Sequence, residues 1–565
     1  MASTFSGGTV ADRHFAYWPK GLPKTIAQPR NSLSFNLTCS AHRYPDRAAI
    51  VFYDAVVTYT ELHAQADAVA GYLQHIGVQR GDRVALFSQN CPQFVAAFYG
   101  VMRADAVVVP INAMSTPDEI EHYLQDSGAR VVIAAQEVSP RLADYAASHG
   151  LDQVIVITYG DALADVSSAG DISPPAWVLA ASEPLTLPNA IHWQAVVDAG
   201  RIPAAAQSTA DDLCLLPYTS GTTGRPKGCM HTHGSIQAAV VGSCLWRGLT
   251  SEAVALSVAP LFHLLGMQSG MNIPIFLGAT VVMLPRWDRV AAARLIARHR
   301  VSVWAALPAM VVDFFAQPDI ESHDLSSLTL LFGGGAAMPE AVATMLADRY
   351  GVIFNEAYGL TETAAFLHCN PLNRNKRQCI GVPTFGVDTR VIDPATLEEL
   401  EPGEVGELMT SGAQVMQGYW NNEQANLDTF IERDGRRYMR TGDLGRVDED
   451  GYFFMTDRLK RMINVSGYKV WPAEVESMLY GHPAVHEVCI IGVADPVKGE
   501  SVHALIVLRP EQQGQVDAAD IEAWAREHMS AYKVPRTFTF LSALPKSGTG
   551  KILWRQLQEQ ANAGQ

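Results

Sequence analysis

The chain has 565 residues, 48% hydrophobic and 18% charged, and its 42 Lys plus Arg against 58 Asp plus Glu leave a net charge of −16. A chain of this length needs more than one hydrophobic core, which predicts at least two domains and excludes a disulfide miniprotein or a disordered chain. The acidic balance, with no long basic run, argues against nucleic acid as a partner.

The N-terminal stretch carries Arg13, His14, Lys20, Lys24 and Arg30 among prolines and lacks the apolar core of a secretory signal. The most apolar run, 271–285, is broken by Pro274 and falls short of the roughly 20 residues of a spanning helix. Eight cysteines lie scattered without C-x-x-C or zinc-knuckle spacing, as expected of reduced thiols. A soluble, cytoplasmic protein is expected, whose only membrane contact is transient and made through an apolar substrate. The oligomeric state is left open, a homodimer included.

From residue 48 onward, short β-branched runs alternate with helical periods. A run at 49–52 is followed by Leu62, Ala66, Val69, Leu73 and Ile76 at helical spacing, closed by Gly77; runs at 83–87, 106–109 and 130–133 are separated by helices near 94–102 and after Pro117. The stretch 160–206, rich in Ala, Pro and Ser, is expected as a surface excursion. A second series of strands follows Asp212, near 254–258, 280–284 and 328–332. From 380 to 454 strand and turn predominate, punctuated by Pro402-Gly403, Asp434-Gly435 and Asp450-Gly451, which predicts a small β subdomain. Beyond Asp457 a small α+β domain is expected, with a helix over 472–479. The fold class is therefore α/β: two doubly wound sheets with a small β subdomain, then an α+β C-terminal domain.

The strongest chemical signal is Tyr218-Thr219-Ser220-Gly221-Thr222-Thr223-Gly224-Arg225-Pro226-Lys227-Gly228, directly after the apolar run 213–216. Its glycines let backbone N–H groups turn toward an anion, four Ser and Thr hydroxyls add donors, and Lys227 adds a compact positive charge. It is a phosphate-handling loop, though not G-x-x-x-x-G-K-[ST], since Lys227 is followed by Gly228. His231 and His233 are spaced like a metal pair, but no third ligand is apparent and they read as structural. No G-x-S-x-G or H-E-x-x-H occurs to support a serine hydrolase or zinc protease.

This loop resembles the signature of the adenylate-forming superfamily of acyl-CoA synthetases, adenylation domains and luciferases. Further matches follow in the family's order: Pro260-Leu261-Phe262-His263, Gly333-Gly334-Gly335, Tyr358-Gly359-Leu360-Thr361-Glu362-Thr363, Tyr438 to Asp443, Asp457-Arg458-Leu459-Lys460, Gly467-Tyr468-Lys469 and Gly550-Lys551. The resemblance spans roughly 35–557. It implies residues 1–456 as an N-terminal domain with the ATP and acyl sites and 461–565 as a mobile C-terminal domain, with the hinge at Lys460.

The same resemblance implies the roles. Thr219 to Gly224, with Lys227, cradle phosphates; Gly334, Gly335, Tyr358 and Gly359 contact the nucleotide, Tyr358 by stacking on adenine. Thr361 touches the α-phosphate, Glu362 holds Mg²⁺, and Asp443 accepts the ribose hydroxyls. Arg458 either joins Asp443 at the ribose or pairs with Asp457. Lys551, favoured over Lys546, reaches the substrate carboxylate and the α-phosphate, and Gly467, Tyr468 and Lys469 approach coenzyme A. His263 lines the carboxylate end of an acyl site walled by Phe262, Gly266, Met267, Trp304 and Met310. The expected activity is ATP-dependent acyl-CoA synthesis through acyl-AMP, with ATP, Mg²⁺ and CoA required. A medium- to long-chain fatty acid is the favoured substrate, because the segments 264–276 and 304–314 contain only Asp313 as a charge. An aryl acid is the runner-up, a separate carrier protein could replace CoA, and a non-catalytic nucleotide binder or a luciferase-like oxygenase completes the alternatives.

Overall fold

The computed structural model describes residues 10–163, 172–219, 225–335, 338–465, 468–495, 499–546 and 552–563. By contact it divides into two units. One comprises Phe15–Asp388 and Ser411–Arg437; the other is built from Thr389–Thr410 and the residues from Tyr438 onward, together with the segment ending at His14. The architecture is mixed α/β, as the alternating periods imply.

The larger unit carries two sheets. Seven strands form the first, in the order His231–Thr232, Leu213–Leu215, Val107–Ile111, Arg83–Phe87, Val131–Ala135, Gln153–Ile157 and Ala190–His192, all parallel except the first pair. Val107–Ile111 and Val131–Ala135 are buried from end to end, which is why their sequences are unbroken apolar runs and not alternations. The second sheet has nine strands. Its six parallel ones, Phe354–Tyr358, Leu330–Gly333, Val303–Ala305, Val254–Ser257, Thr280–Met283 and Ala48–Phe52, are flanked by antiparallel strands at both edges.

Helix ends follow local chemistry. In the Pro117–Ser127 helix, the Thr116 hydroxyl accepts from the Glu119 N–H at 3.4 Å while the Glu119 carboxylate accepts from the Thr116 N–H at 2.8 Å. Pro117 fits the first turn, and Gly128, with φ of 68°, closes the last.

The expected excursion at 160–206 is in part a sheet edge. Ala190–His192 pairs with Gln153–Ile157, and Trp193 and Val196 of the following helix, Trp193–Asp198, are buried. A three-residue strand is too short to display a period, so its sequence reads as loop. Residues 164–171 lie outside the described residues.

In the smaller unit, residues 439–447 of the strand Arg436–Val447 pair antiparallel with residues 406–410 and with Phe453–Arg458. A further sheet runs Tyr468–Val470, Ile463–Val465, Gly499–Leu508 and Val485–Asp495, and Thr537–Phe540 lies parallel to Gly499–Leu508. Alternation along these strands serves two cores. Ile490, Val502, Ala504 and Ile506 pack with Val475, Leu479 and Ile521 of the helices Pro472–Leu479 and Ala518–His528; Ile491, Val493 and Leu505 pack with Leu544 and Leu557. The β segment expected at 380–454 is thus shared, with 389–410 and 438–454 grouped with the C-terminal residues. Among the described residues no helix is long and apolar enough to cross a membrane.

Candidate active site

The Leu213–Leu215 strand leads into a hairpin of Tyr218–Thr219 and Lys227–Gly228 that sets Lys227 opposite Thr219 and Gly228 opposite Tyr218. Ser220, Gly221, Thr222, Thr223 and Gly224 lie outside the described residues. Both flanks of that loop are held by one face of the Pro117–Ser127 helix. His122 Nε2 donates to the Pro226 carbonyl at 2.7 Å, and one turn later Asp126 Oδ2 accepts from the Tyr218 hydroxyl at 2.6 Å. The Asp126 carbonyl also accepts from Trp420 Nε1 at 3.0 Å. A Cβ at Gly228 would stand 3.1 Å from Leu216 and 3.2 Å from the Tyr218 ring, so this arm is packed to its limit.

Residues 416–420 are laced to the hairpin. The Trp420 N–H donates to Gly228 O (2.8 Å), that of Met230 to Gly418 O (2.9 Å) and that of Met416 to Glu362 O (2.8 Å). Tyr419 is thereby placed between two expected site residues: Lys227 Nζ lies 4.2 Å from its ring centroid, and its hydroxyl donates to Glu362 Oε1 at 2.8 Å. Burial, and then the Glu362 charge, push the Tyr419 hydroxyl well above the usual phenol range, so it remains a donor. The Thr219 hydroxyl oxygen is buried without a hydrogen-bond partner among the described residues.

Tyr358 ends its strand, with its ring centroid 5.6 Å from that of His368. The short turn Thr361–Thr363 follows, closed by the Leu360 N–H donating to Thr363 Oγ1 at 2.8 Å. His231 Nε2 donates to the Thr361 carbonyl at 2.7 Å. Burial lowers His231 to about 4, so it is a neutral strut; His233, also lowered to about 4 by burial, accepts the Leu33 N–H at Nδ1 (3.0 Å). Each histidine of the apparent metal pair thus holds a different backbone segment. After the turn, Ala364 and Ala365 take φ of 51° and 61°, and the chain doubles back so closely that a Cβ on Gly359 would meet the Ala365 carbonyl carbon at 2.3 Å. A Cβ on Gly334 would stand 2.3 Å from Ala357 O. Both glycines are therefore demanded by backbone packing around the turn, and Gly335 has φ of 84°.

On the expected acid side, the Phe262 and His263 rings lie 4.8 Å apart, and His263 O accepts the Met267 N–H at 2.8 Å. A Cβ on Gly266 would meet Pro260 O at 2.3 Å, so the space in front of this glycine is filled by the preceding turn and gives no added depth. Residues Gln268–Asn272 form a π-helical turn. Within it, Asn272 Nδ2 donates to Gln268 Oε1 at 2.9 Å and Asn272 Oδ1 accepts from the Tyr99 hydroxyl at 2.9 Å, a buried polar ladder in a segment that reads as apolar. Trp304 is fully buried, stacked on Trp287 at 5.6 Å and edge-on to Phe314 at 5.1 Å. Met310, near the start of the Pro308–Phe315 helix, is half-buried. Asp313 accepts from Trp287 Nε1 at 2.8 Å and pairs with Arg289 at 3.0 Å, which neutralises the segment's charge.

In the smaller unit, Asp443 stands opposite Arg458 in register, and Arg458 Nε lies 3.0 Å from Asp443 Oδ1. Asp457 instead accepts the main-chain N–H groups of Arg458 and Ala473, both at 2.7 Å, the latter at the start of the Pro472–Leu479 helix. Buried Glu407 accepts from Arg440 (2.6 Å) and from the Gly442 N–H (3.1 Å), fixing the turn before Asp443. Lys460 lies in the turn Leu459–Arg461, and Tyr468 and Lys469 open the strand Tyr468–Val470. Gly467 and Lys551 lie outside the described residues.

His122, Asp126, Glu407 and Tyr419 carry no sequence signal as supports. Tyr419 is 57 positions from Glu362, and only the lacing of 416–420 to the hairpin joins them.

The AMP-binding enzyme family matches residues 37–420, and the AMP-binding enzyme C-terminal domain matches 474–551. The chain is 33% identical to the long-chain-fatty-acid–CoA ligase of Bacillus subtilis (strain 168), over 96% of this chain and 97% of that one. It is 36% identical to the feruloyl-CoA synthase of an Amycolatopsis species, over 91% and 96%. The crystal structure of the anthranilate CoA ligase AuaEII in complex with anthranoyl-AMP superposes with a TM-score of 0.80 at 28% identity, covering 96% of this chain and 98% of that one. With its motifs in order and 96% of its length matched by a relative, the chain belongs to the AMP-binding enzymes of the adenylate-forming superfamily, in the branch of acyl-CoA synthetases.

Proposed function

We propose that the protein activates an apolar carboxylic acid, with a medium- to long-chain fatty acid favoured, in two half-reactions. The carboxylate attacks the α-phosphorus of ATP in line, pyrophosphate leaves and acyl-AMP forms; the thiol of CoA then attacks the acyl carbon and AMP departs. No side-chain nucleophile is needed, because the substrates attack and the protein supplies charge and position. The observation carrying this reading is the convergence of Lys227, at the end of the phosphate loop, and Glu362, of the Tyr358 to Thr363 motif, on Tyr419.

Lys227 and the Thr219 to Gly224 loop bind phosphate, Tyr358 with Gly334, Gly335 and Gly359 receives adenine, Asp443 with Arg458 receives the ribose, and Thr361 faces the α-phosphate. Lys551 steadies the first step and Gly467, Tyr468 and Lys469 the second, with residues 461–565 turning at Lys460 between them. His263, Phe262, Gly266, Met267, Trp304 and Met310 receive the acid. Glu362 suits Mg²⁺: one carboxylate oxygen takes the Tyr419 hydroxyl, and the other has no hydrogen-bond partner among the described residues. A single carboxylate plus substrate phosphates is a usual Mg²⁺ arrangement, in which the ion neutralises charge on the phosphates.

An aryl acid is the second reading, favoured by the identity to a feruloyl-CoA synthase. AMP release measured with octanoate, dodecanoate, palmitate, benzoate, cinnamate, ferulate and phenylalanine, with and without CoA, tests both. Preference for an aryl acid would replace the fatty acid, and AMP release that CoA does not accelerate would point to a carrier protein.

A further inference from the structure

The geometry points to Tyr419 as a positioning residue of the phosphate site, whose single phenol holds Lys227 on its ring face and Glu362 on its hydroxyl, so that the opposite charges stay apart and each remains available to Mg·ATP. This rests on the nucleotide roles proposed above for Lys227 and Glu362. A lysine and a glutamate beside the same side chain would otherwise pair directly, and a paired ammonium and carboxylate offer less charge to phosphate and fewer lone pairs to a cation. Among the described residues these two make no ion pair with each other; each is bound to a different part of the tyrosine.

The two contacts draw on different properties of one ring. The π face attracts the ammonium, while the hydroxyl satisfies one carboxylate oxygen and leaves the other for a ligand. Tyr419 is held firmly enough to set both. Its N–H donates to Asn426 Oδ1 at 2.6 Å, its carbonyl accepts from Asn426 Nδ2 at 3.0 Å, and the neighbouring Trp420 N–H donates to Gly228 O.

Tyr419→Phe separates the two contacts, because it keeps the ring under Lys227 and removes only the donor to Glu362. Calorimetric binding of Mg·ATP without acid, the Mg²⁺ dependence of that binding, and the thermal midpoint are measured for Tyr419→Phe, Tyr419→Leu, Glu362→Gln and Lys227→Met. Tyr419→Phe is expected to weaken Mg·ATP binding about tenfold and to raise the Mg²⁺ requirement, with an unchanged thermal midpoint. Adding it to Glu362→Gln should weaken binding no further, and Tyr419→Leu should lose more than Tyr419→Phe as the ring face disappears. Binding by Tyr419→Phe as tight as the parent's, with Glu362→Gln and Lys227→Met both weakened, would overturn the role of Tyr419 while leaving the nucleotide reading intact. Unchanged binding in Glu362→Gln and Lys227→Met would overturn that reading and this inference with it.

Discussion

The Tyr218 hydroxyl donates to the Asp126 carboxylate at 2.6 Å and so ties one arm of the phosphate-loop hairpin to a helix nearly a hundred residues earlier in the chain. Asp126→Ala should leave that hydroxyl without its charged acceptor and lower unfolding stability by about 1–3 kcal/mol. The Michaelis constant for ATP should rise several-fold while that for the acid changes little. Urea unfolding together with initial rates at varied ATP checks both, and equal changes in the two Michaelis constants would show that Asp126 does not act through the loop.

Lys551→Ala and Gly467→Leu should divide the reaction. The first should lower acyl-AMP formation by roughly two to three orders of magnitude and spare conversion of preformed acyl-AMP with CoA. The second should do the reverse, since a bulky side chain would obstruct the approach of CoA. Pyrophosphate exchange into ATP separates the half-reactions, and equal damage to both by either variant would refute its assignment.

Much of the fold was legible because central strands such as Val107–Ile111 and Val131–Ala135 are buried on both faces and some helices begin with visible caps, as at Thr116 to Glu119. Ala190–His192 escaped because three residues cannot show a period. At the candidate site, Lys227 and Glu362 stand out in their motifs, whereas Tyr419 and Asp126 carry no such signal. Their work depends on long-range hydrogen bonds that only the folded topology creates. Gly266 shows the same limit: the sequence shows that a side chain is missing but not that Pro260 O occupies its place.

Arg247 is a buried guanidinium stacked on Phe332, 3.9 Å from the ring centroid; it donates to Ser243, and its Nε has no partner among the described residues. Burial lowers its basicity. Arg247→Met keeps the length and removes the uncompensated charge, so unfolding stability should stay level or rise by up to about 4 kcal/mol. Denaturant titration showing a loss above about 1 kcal/mol would mean that the aromatic contacts outweigh desolvation.

Stability should fall in acid. His231 and His233 hold pKa values of about 4 against an ordinary 6.5, so between these values the unfolded chain binds more protons than the folded one. Their contribution is complete above pH 6.5 and lost as pH falls toward 4, by about 3 kcal/mol each. Glu356 works in the opposite direction. Burial raises its carboxyl from 4.5 to about 7, so its contribution is full below pH 4.5 and declines as pH rises to 7. Urea unfolding from pH 4 to 8 should give a flatter acid limb for His233→Gln and greater stability at pH 8 for Glu356→Gln; unchanged profiles would contradict these shifts.

The pairing of Thr219 with Lys227 closes a loop of only seven residues, 220–226, on a frame that the Pro117–Ser127 helix and residues 416–420 already hold rigid. Loop closure entropy grows slowly, and doubling such a loop costs only about 0.6 kcal/mol. The scaffold is therefore nearly indifferent to the loop's length, and the fold alone would accept many insertions there. On the phosphate role proposed above, function and not the fold restricts the loop, so this stretch can vary or fail in function without any accompanying change in how firmly the protein is folded.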